Sequence, residues 1–198
     1  METRGGYRPW TGSTFGVGEL GGRRVLLLGE SHYTAESEYD TEELTVSVVR
    51  QVINGTQVIP FFDRAQSLLT EGMGTGKVTT RADFWHAVAF YNYVPCLVAA
   101  VARVRPTSKM WKSGAEPFAH LLAAVRPARV LVLGKSVWDH IRLPAKWTSV
   151  SLGGDEAMRE WTGPSGQRVV ATWVYHPSSV GFTVGKWSSR AATLLAAS

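Results

Sequence analysis

Three short polar clusters interrupt an otherwise apolar pattern. They are Gly29-Glu30-Ser31-His32-Tyr33, Asn92 with the following Val94-Pro95, and Tyr175-His176-Pro177-Ser178-Ser179. Between them they carry a carboxylate, two imidazoles, an amide and several hydroxyls, the groups that move protons and donate or accept hydrogen bonds in active sites. Each cluster ends or follows a run rich in Val, Leu and aromatic residues, at 24–28, 89–94 and 169–174. If those runs are neighbouring parallel strands, the clusters lie at one end of them and converge on a single cleft. That convergence says more than any one residue does. An Asn inside an apolar strand needs a hydrogen-bond partner, supplied either by the fold or by a ligand.

The elements that must position these groups are legible from periodicity. A fourth apolar run lies at 129–133, and near-continuous apolar strands are typical of parallel sheets covered on both faces. Residues 41–53 carry Leu44, Val48, Val49 and Val52 at helical spacing, with Asp40 as N-cap. Shorter helices are expected over 61–69 and 83–88. A helix over 116–125 has Phe118, Leu121, Leu122 and Val125 on one face and Pro117 early, as helix starts permit. Helices over 136–141 and 188–197 complete the alternation. The pattern predicts one domain of α/β class, a three-layer α/β/α sandwich on a central four-stranded parallel sheet, with its site at the carboxyl ends of the strands. Residues 71–80 read as a Gly-rich loop, and the turn at 163–167 leads into the fourth strand.

Composition narrows the class. The chain has 198 residues, 44% of them hydrophobic, which favours one domain with a sizeable core and argues against disorder. No apolar run has the length of a membrane span. The first 22 residues are Gly- and Arg-rich without an apolar centre, so no secretory signal is expected and the cytoplasm is the expected compartment. Cys96 is the sole cysteine, which excludes an internal disulfide and a four-cysteine cluster. The formal charge of +5 suits a polyanionic partner such as nucleic acid. Eight tryptophans are many for this length. Indole faces stack on bases, although core packing accounts for most such residues.

Taken in order, the clusters resemble the uracil-DNA glycosylase superfamily. Gly29-Glu30-Ser31-His32-Tyr33 after a Leu-rich strand is similar to that family's first motif, typically Gly-x-Asp-Pro-Tyr or Gly-Glu-x-Pro-Gly. His176-Pro177-Ser178 is similar to its second motif. Asn92 with Pro95 resembles the strand whose Asn reads the base edge, and Leu133-Gly134-Lys135-Ser136 matches the family layout. The resemblance spans residues 25–186. It implies hydrolysis of a base from deoxyribose, in which positive charge develops on the sugar and negative charge on the departing base, both stabilised in the transition state. It implies that His176 donates a hydrogen bond to the base O2, and that Glu30 faces the sugar, offsets its charge and orients water. Ser31 stands where the archetypal members have a water-activating Asp or Asn, and a serine is a poor base without a partner. His32 replaces the usual Pro and either belongs to the base pocket, shares that role, or packs. Tyr33 falls where uracil-specific members place a Tyr that blocks a 5-methyl group; a stacking wall or a core aromatic are the alternatives. The Asn92 amide can pair with the Watson–Crick edge of a flipped pyrimidine and suits uracil or cytosine alike. The loop after His176 should enter DNA, with Val180 or Phe182 as wedge. Ser178, Ser179, Lys135, Lys186 and Arg23 are the candidate contacts to phosphate.

Other signals fail on spacing. Gly72-Met73-Gly74-Thr75-Gly76-Lys77 has the wrong glycine spacing for a phosphate loop and Val78 after its lysine. The five histidines show no HExxH-type pattern, so neither metal nor cofactor is expected. A lyase would need an amine nucleophile, and Lys135 is the only strand-end lysine near the motifs. The expected function is therefore a monofunctional DNA glycosylase, expected as a monomer, acting on uracil or on a modified pyrimidine, including a modified phage base in antiviral defence. Two alternatives stand beside it. One is a non-catalytic relative that binds damaged DNA. The other is a small-molecule hydrolase, since 28–32 also resembles the Gly-Glu-x-His strand end of erythromycin-esterase-like proteins, which are longer and do not account for His176-Pro177-Ser178.

Overall fold

The computed structural model describes residues 6–18, 20–35, 38, 40–74, 80–101, 104–153 and 155–197. In chain order the elements are β1 (Trp10–Thr11), β2 (Val25–Gly29), β3 (His32–Tyr33), α1 (Leu44–Ile53), α2 (Pro60–Gly72), α3 (Arg81–Ala87), β4 (Ala89–Asn92) and β5 (Leu97–Ala99). They continue with α4 (Ser108–Ser113), α5 (Ala115–Val125), β6 (Arg129–Leu133), α6 (Lys135–His140), β7 (Thr148–Leu152), β8 (Asp155–Thr162), β9 (Arg168–Val174) and α7 (Val184–Ala196). Part of the Gly-rich loop expected over 71–80 lies outside the described residues.

The four apolar runs pair in parallel, in the order β4-β2-β6-β9. The expectation of a four-stranded parallel sheet needs correction, because that block sits inside a mixed sheet. Among the described residues the sheet has seven strands, ordered β1-β4-β2-β6-β9-β8-β7, with β1, β8 and β7 antiparallel to their neighbours. The added strands lack a continuous apolar run. β1 has two residues, β7 is almost wholly exposed, and β8 spaces Met158 and Trp161 among charged residues. Half-solvated antiparallel strands carry that weaker alternation. The turn at 163–167 closes the β8–β9 hairpin through Gly163 N–H to Gln167 O at 2.8 Å.

Alternate residues of β2 face two cores. Val25 and Leu27 join Phe62, Ala65, Leu68, Trp85 and Leu194, so α1, α2, α3 and α7 cover that face. Leu26 and Leu28 join Phe118, Leu121, Leu122, Trp138 and Trp161, so α4, α5 and α6 cover the other. Helices cover both faces of the parallel block, so the polar clusters are left at the strand ends. The helix starts follow local chemistry. Pro60 opens α2, where its missing N–H costs nothing. Thr80 and Thr107 cap α3 and α4 through their hydroxyls. The expected Asp40 cap is not used: a turn at 41–43 precedes α1, Glu43 holds the N-cap position, and Asp40 Oδ1 accepts a 2.6 Å hydrogen bond from Tyr7.

Leu131 is fully buried in the middle of the parallel block, whereas Val150 on the β7 edge is 55% exposed. Leu131→Ala is expected to lower unfolding free energy by about 2–5 kcal/mol through lost burial and the cavity left behind. Val150→Ala should stay within about 0.5 kcal/mol of the parent. Urea unfolding followed by circular dichroism measures both.

Candidate active site

Register in the parallel block brings the polar clusters to one edge. Gly29 pairs with Asn92, and Leu133 with Val174, so Glu30, Asn92, Gly134 and His176 all emerge at the carboxyl ends. Glu30 and His176 follow strands separated by β6, so their backbones lie about 10 Å apart, two strand spacings. Tyr93 N–H to Gly29 O at 3.0 Å and Val94 N–H to Glu30 O at 2.9 Å carry the β2–β4 pairing past the strand ends and fix the Glu30 backbone.

The Glu30 carboxylate is mostly buried, its side chain 12% exposed. Its Oε2 faces Arg105 Nη1 at 3.4 Å, and the same nitrogen reaches Ser136 Oγ at 3.3 Å. The Tyr33 hydroxyl donates to Val104 O at 3.0 Å, with Glu30 Oε1 a longer 3.4 Å away. Burial raises the Glu30 pKa above its ordinary value; Arg105, the Tyr33 hydroxyl and His140 pull the other way and only partly offset it. His140 is itself fixed by a ring stack on Trp111 at 4.5 Å and by its Nδ1 at 2.8 Å from Ser136 O.

His176 is held by its own turn. Ser178 N–H donates to His176 Nδ1 at 3.1 Å, and Ser179 N–H to His176 O at 2.8 Å. Arg64 Nη1 of α2 donates to Pro177 O at 2.6 Å, and the Phe61 ring lies 5.0 Å from the imidazole. Gly134, at φ +148, adopts a conformation that favours glycine, and a Cβ there would stand 3.8 Å from His176 Cβ and Cδ2. Burial first, and the charge of Arg105 second, push the His176 pKa down to about 4. The imidazole is neutral near pH 7, and because Nδ1 accepts from Ser178, its proton resides on Nε2. The strand-end edge therefore carries a neutral N–H donor after β9 and a carboxylate after β2, with Arg105 acting on both.

Asn92 is 5% exposed and its amide has no hydrogen-bond partner among the described residues. It lies across Gly29, where any Cβ would collide with its Oδ1, so a residue without a side chain is needed there. The Ser31 hydroxyl is buried and makes no hydrogen bond of ordinary geometry, although it lies close enough to Tyr33 to bear on that phenol.

Not every expected residue gathers at the cleft. The His32 ring is buried against Thr45 Oγ1 at 2.8 Å and meets Tyr7 edge-on at 4.9 Å; burial lowers its pKa to about 4. Phe182 is packed in the core among α2 and α7 residues, whereas Val180 is fully exposed. Arg23 precedes β2, at the opposite edge, and donates to Leu195 O and Leu20 O. Lys135 pairs with Asp139 and lies 5.6 Å from the Trp173 ring, while Lys186 lies 5.8 Å from that of Tyr175. Sequence reasoning missed Arg105, Ser136 and His140. Arg105 is a lone side chain on a loop 75 positions from Glu30. A concavity of about 570 Å³ lined by Ser13, Thr14, Asp83 and His86 among others contains none of the three clusters. Among the described residues no His, Cys, Asp and Glu side chains group as a metal site, and no helix is long and apolar enough to cross a membrane.

His32 and His176 both have folded-state pKa values near 4, against 6.5 for an unfolded histidine. Between those limits the unfolded chain binds more protons, so stability is full above pH 6.5 and falls as pH drops toward 4. Glu30, with its raised pKa, acts in the opposite sense as pH rises above 4.5. Urea midpoints from pH 7.5 to 4.5 should fall, and His32→Gln should flatten the slope. In a second test, Gly29→Ala should leave the fold intact but displace the Asn92 amide, seen as a shifted Asn92 side-chain NH2 resonance. No protein-family model and no curated protein matches this chain.

Proposed function

We propose that this chain is a monofunctional DNA glycosylase with the three-layer fold of the uracil-DNA glycosylase superfamily. It releases a flipped-out uracil or modified pyrimidine and leaves an abasic site. The observation that carries the reading is the tautomer of His176: a neutral imidazole whose Nδ1 is occupied by the Ser178 N–H and whose Nε2–H is free to donate, set across the cleft from a mostly buried carboxylate.

In this reaction the C–N glycosidic bond breaks with its electron pair leaving on the base. Water then adds to the anomeric carbon and gives up a proton, and the base takes one up. His176 Nε2–H bonds to the base O2 as negative charge collects there. A neutral donor suits this role, because it strengthens its bond to the oxyanion without first transferring its proton. Glu30, ionised, offsets the sugar cation and orients the water. Arg105 favours the ionised form of Glu30 and adds to the burial that keeps His176 unprotonated. The unpartnered Asn92 amide pairs with the extruded base edge, and Tyr33, tied to Val104 and Glu30, forms the wall beside it. Modified phage bases are within the substrate class, in which case the enzyme serves antiviral defence. DNA is the partner, and no cofactor takes part.

The test uses labelled oligonucleotides, single- and double-stranded, carrying uracil, hypoxanthine, 5-hydroxymethyluracil, or hydroxymethylated or glucosylated cytosine. The expected result is alkali-labile sites from at least one base. His176→Ala should lower the single-turnover rate by about 10²–10³, the loss of one oxyanion donor. The rate should rise with pH through an acid limb above the ordinary carboxylate pKa, reporting Glu30, and show no second limb up to neutrality because His176 is already neutral. Tight DNA binding with no abasic sites would replace this reading with a non-catalytic module. Neither binding nor cleavage would overturn it altogether.

A further inference from the structure

Beside the cleft, three aromatic rings and three cations form one surface that the proposed chemistry does not use. Trp173 lies at the end of β9, Tyr175 directly follows that strand, and Trp187 lies on the first turn of α7. The Trp173 and Tyr175 rings are near-parallel at 28° with centroids 5.8 Å apart, and Trp187 lies 4.8 Å from Tyr175 and 5.6 Å from Trp173. Trp187 is buried, whereas Tyr175 remains 41% exposed on top of the other two. Cations surround the stack. Arg190 lies 5.1 Å from the Trp173 ring and 5.3 Å from Trp187, Lys186 is 5.8 Å from Tyr175, and Lys135 is 5.6 Å from Trp173. Lys186 and Arg190 are one helical turn apart on α7. Lys135 also pairs with Asp139, an exposed bond that phosphate can replace at little cost.

We infer that this strip binds an unpaired DNA strand, with Tyr175 stacking on a base next to the one extruded toward His176. The inference rests on DNA being the partner. Two features select a single strand over other polyanions. An open aromatic face backed by two indoles attracts the π-face of a base, which an acidic peptide lacks and a duplex hides. Lys186 lies by the Tyr175 ring itself, and Arg190 and Lys135 lie by the indoles that back it, so charge is available to the backbone of a strand whose base stacks there. Tyr175 immediately precedes His176, so a base stacked there belongs to a nucleotide flanking the scissile one.

The experiment measures fluorescence anisotropy of a labelled oligothymidylate with the full chain, with duplex of equal length and polyglutamate as competitors. Tyr175→Ala should weaken strand binding ~5- to 150-fold, the range for one base stack. Tyr175→Phe should restore it, and Lys186→Ala should reduce the salt slope by about 0.7. Near-ultraviolet circular dichroism checks that each variant is folded. Wild-type affinity in Tyr175→Ala, or duplex or polyglutamate competing as well as the strand, would overturn the inference. Abasic-site formation is followed on uracil-bearing oligonucleotides in parallel. Strand binding that depends on Tyr175 without base release sinks the glycosylase reading and leaves the strip standing. Base release with strand binding unchanged in Tyr175→Ala does the reverse.

Discussion

Backbone register in the β4-β2-β6-β9 block is the constraint on which the cleft depends. Pairing Gly29 with Asn92 and Leu133 with Val174 ends all four strands at one edge. A slip of one residue in any pair would turn that strand's side chains to the opposite face. Register in turn rests on the two cores, because Val25 and Leu27 must meet one set of helices while Leu26 and Leu28 meet the other. The hydrophobic effect thus fixes the position of polar groups that contribute nothing to it.

At the edge so defined, burial does the electrostatic tuning. Desolvation alone would drive both principal groups toward their neutral forms, raising Glu30 and lowering His176. Arg105 acts on the two in different senses: its positive charge partly offsets the effect of burial on Glu30 and adds to the burial that disfavours the His176 imidazolium. Arg105 is largely exposed, which makes its influence sensitive to salt and to whatever occupies the cleft.

The His176 turn shows how a short motif acquires a function from its surroundings. The Ser178 N–H sets the tautomer locally, within two residues. The position of the ring comes from elsewhere: Phe61 and Arg64 on α2. Phe182, inside the core, anchors the far side of that loop and leaves Val180 as its exposed tip.

Much of this was legible in the sequence. Continuous apolar runs marked the four parallel strands, because strands buried on both faces admit few polar residues. The polar clusters at their ends marked Glu30, Asn92 and His176, and the pattern between them marked six helices to within a few residues, all but α4 among the described residues. The antiparallel strands β7 and β8 were not legible, since a solvated face dilutes the hydrophobic pattern. Nor could sequence separate Glu30 from His32, two residues apart: only the packing of β3 against α1 turned His32 inward to Thr45. Arg105, Ser136 and His140 were beyond reach for the same reason. Their roles come from contacts across the chain rather than along it, and local propensity carries no information about which distant segment a loop will meet.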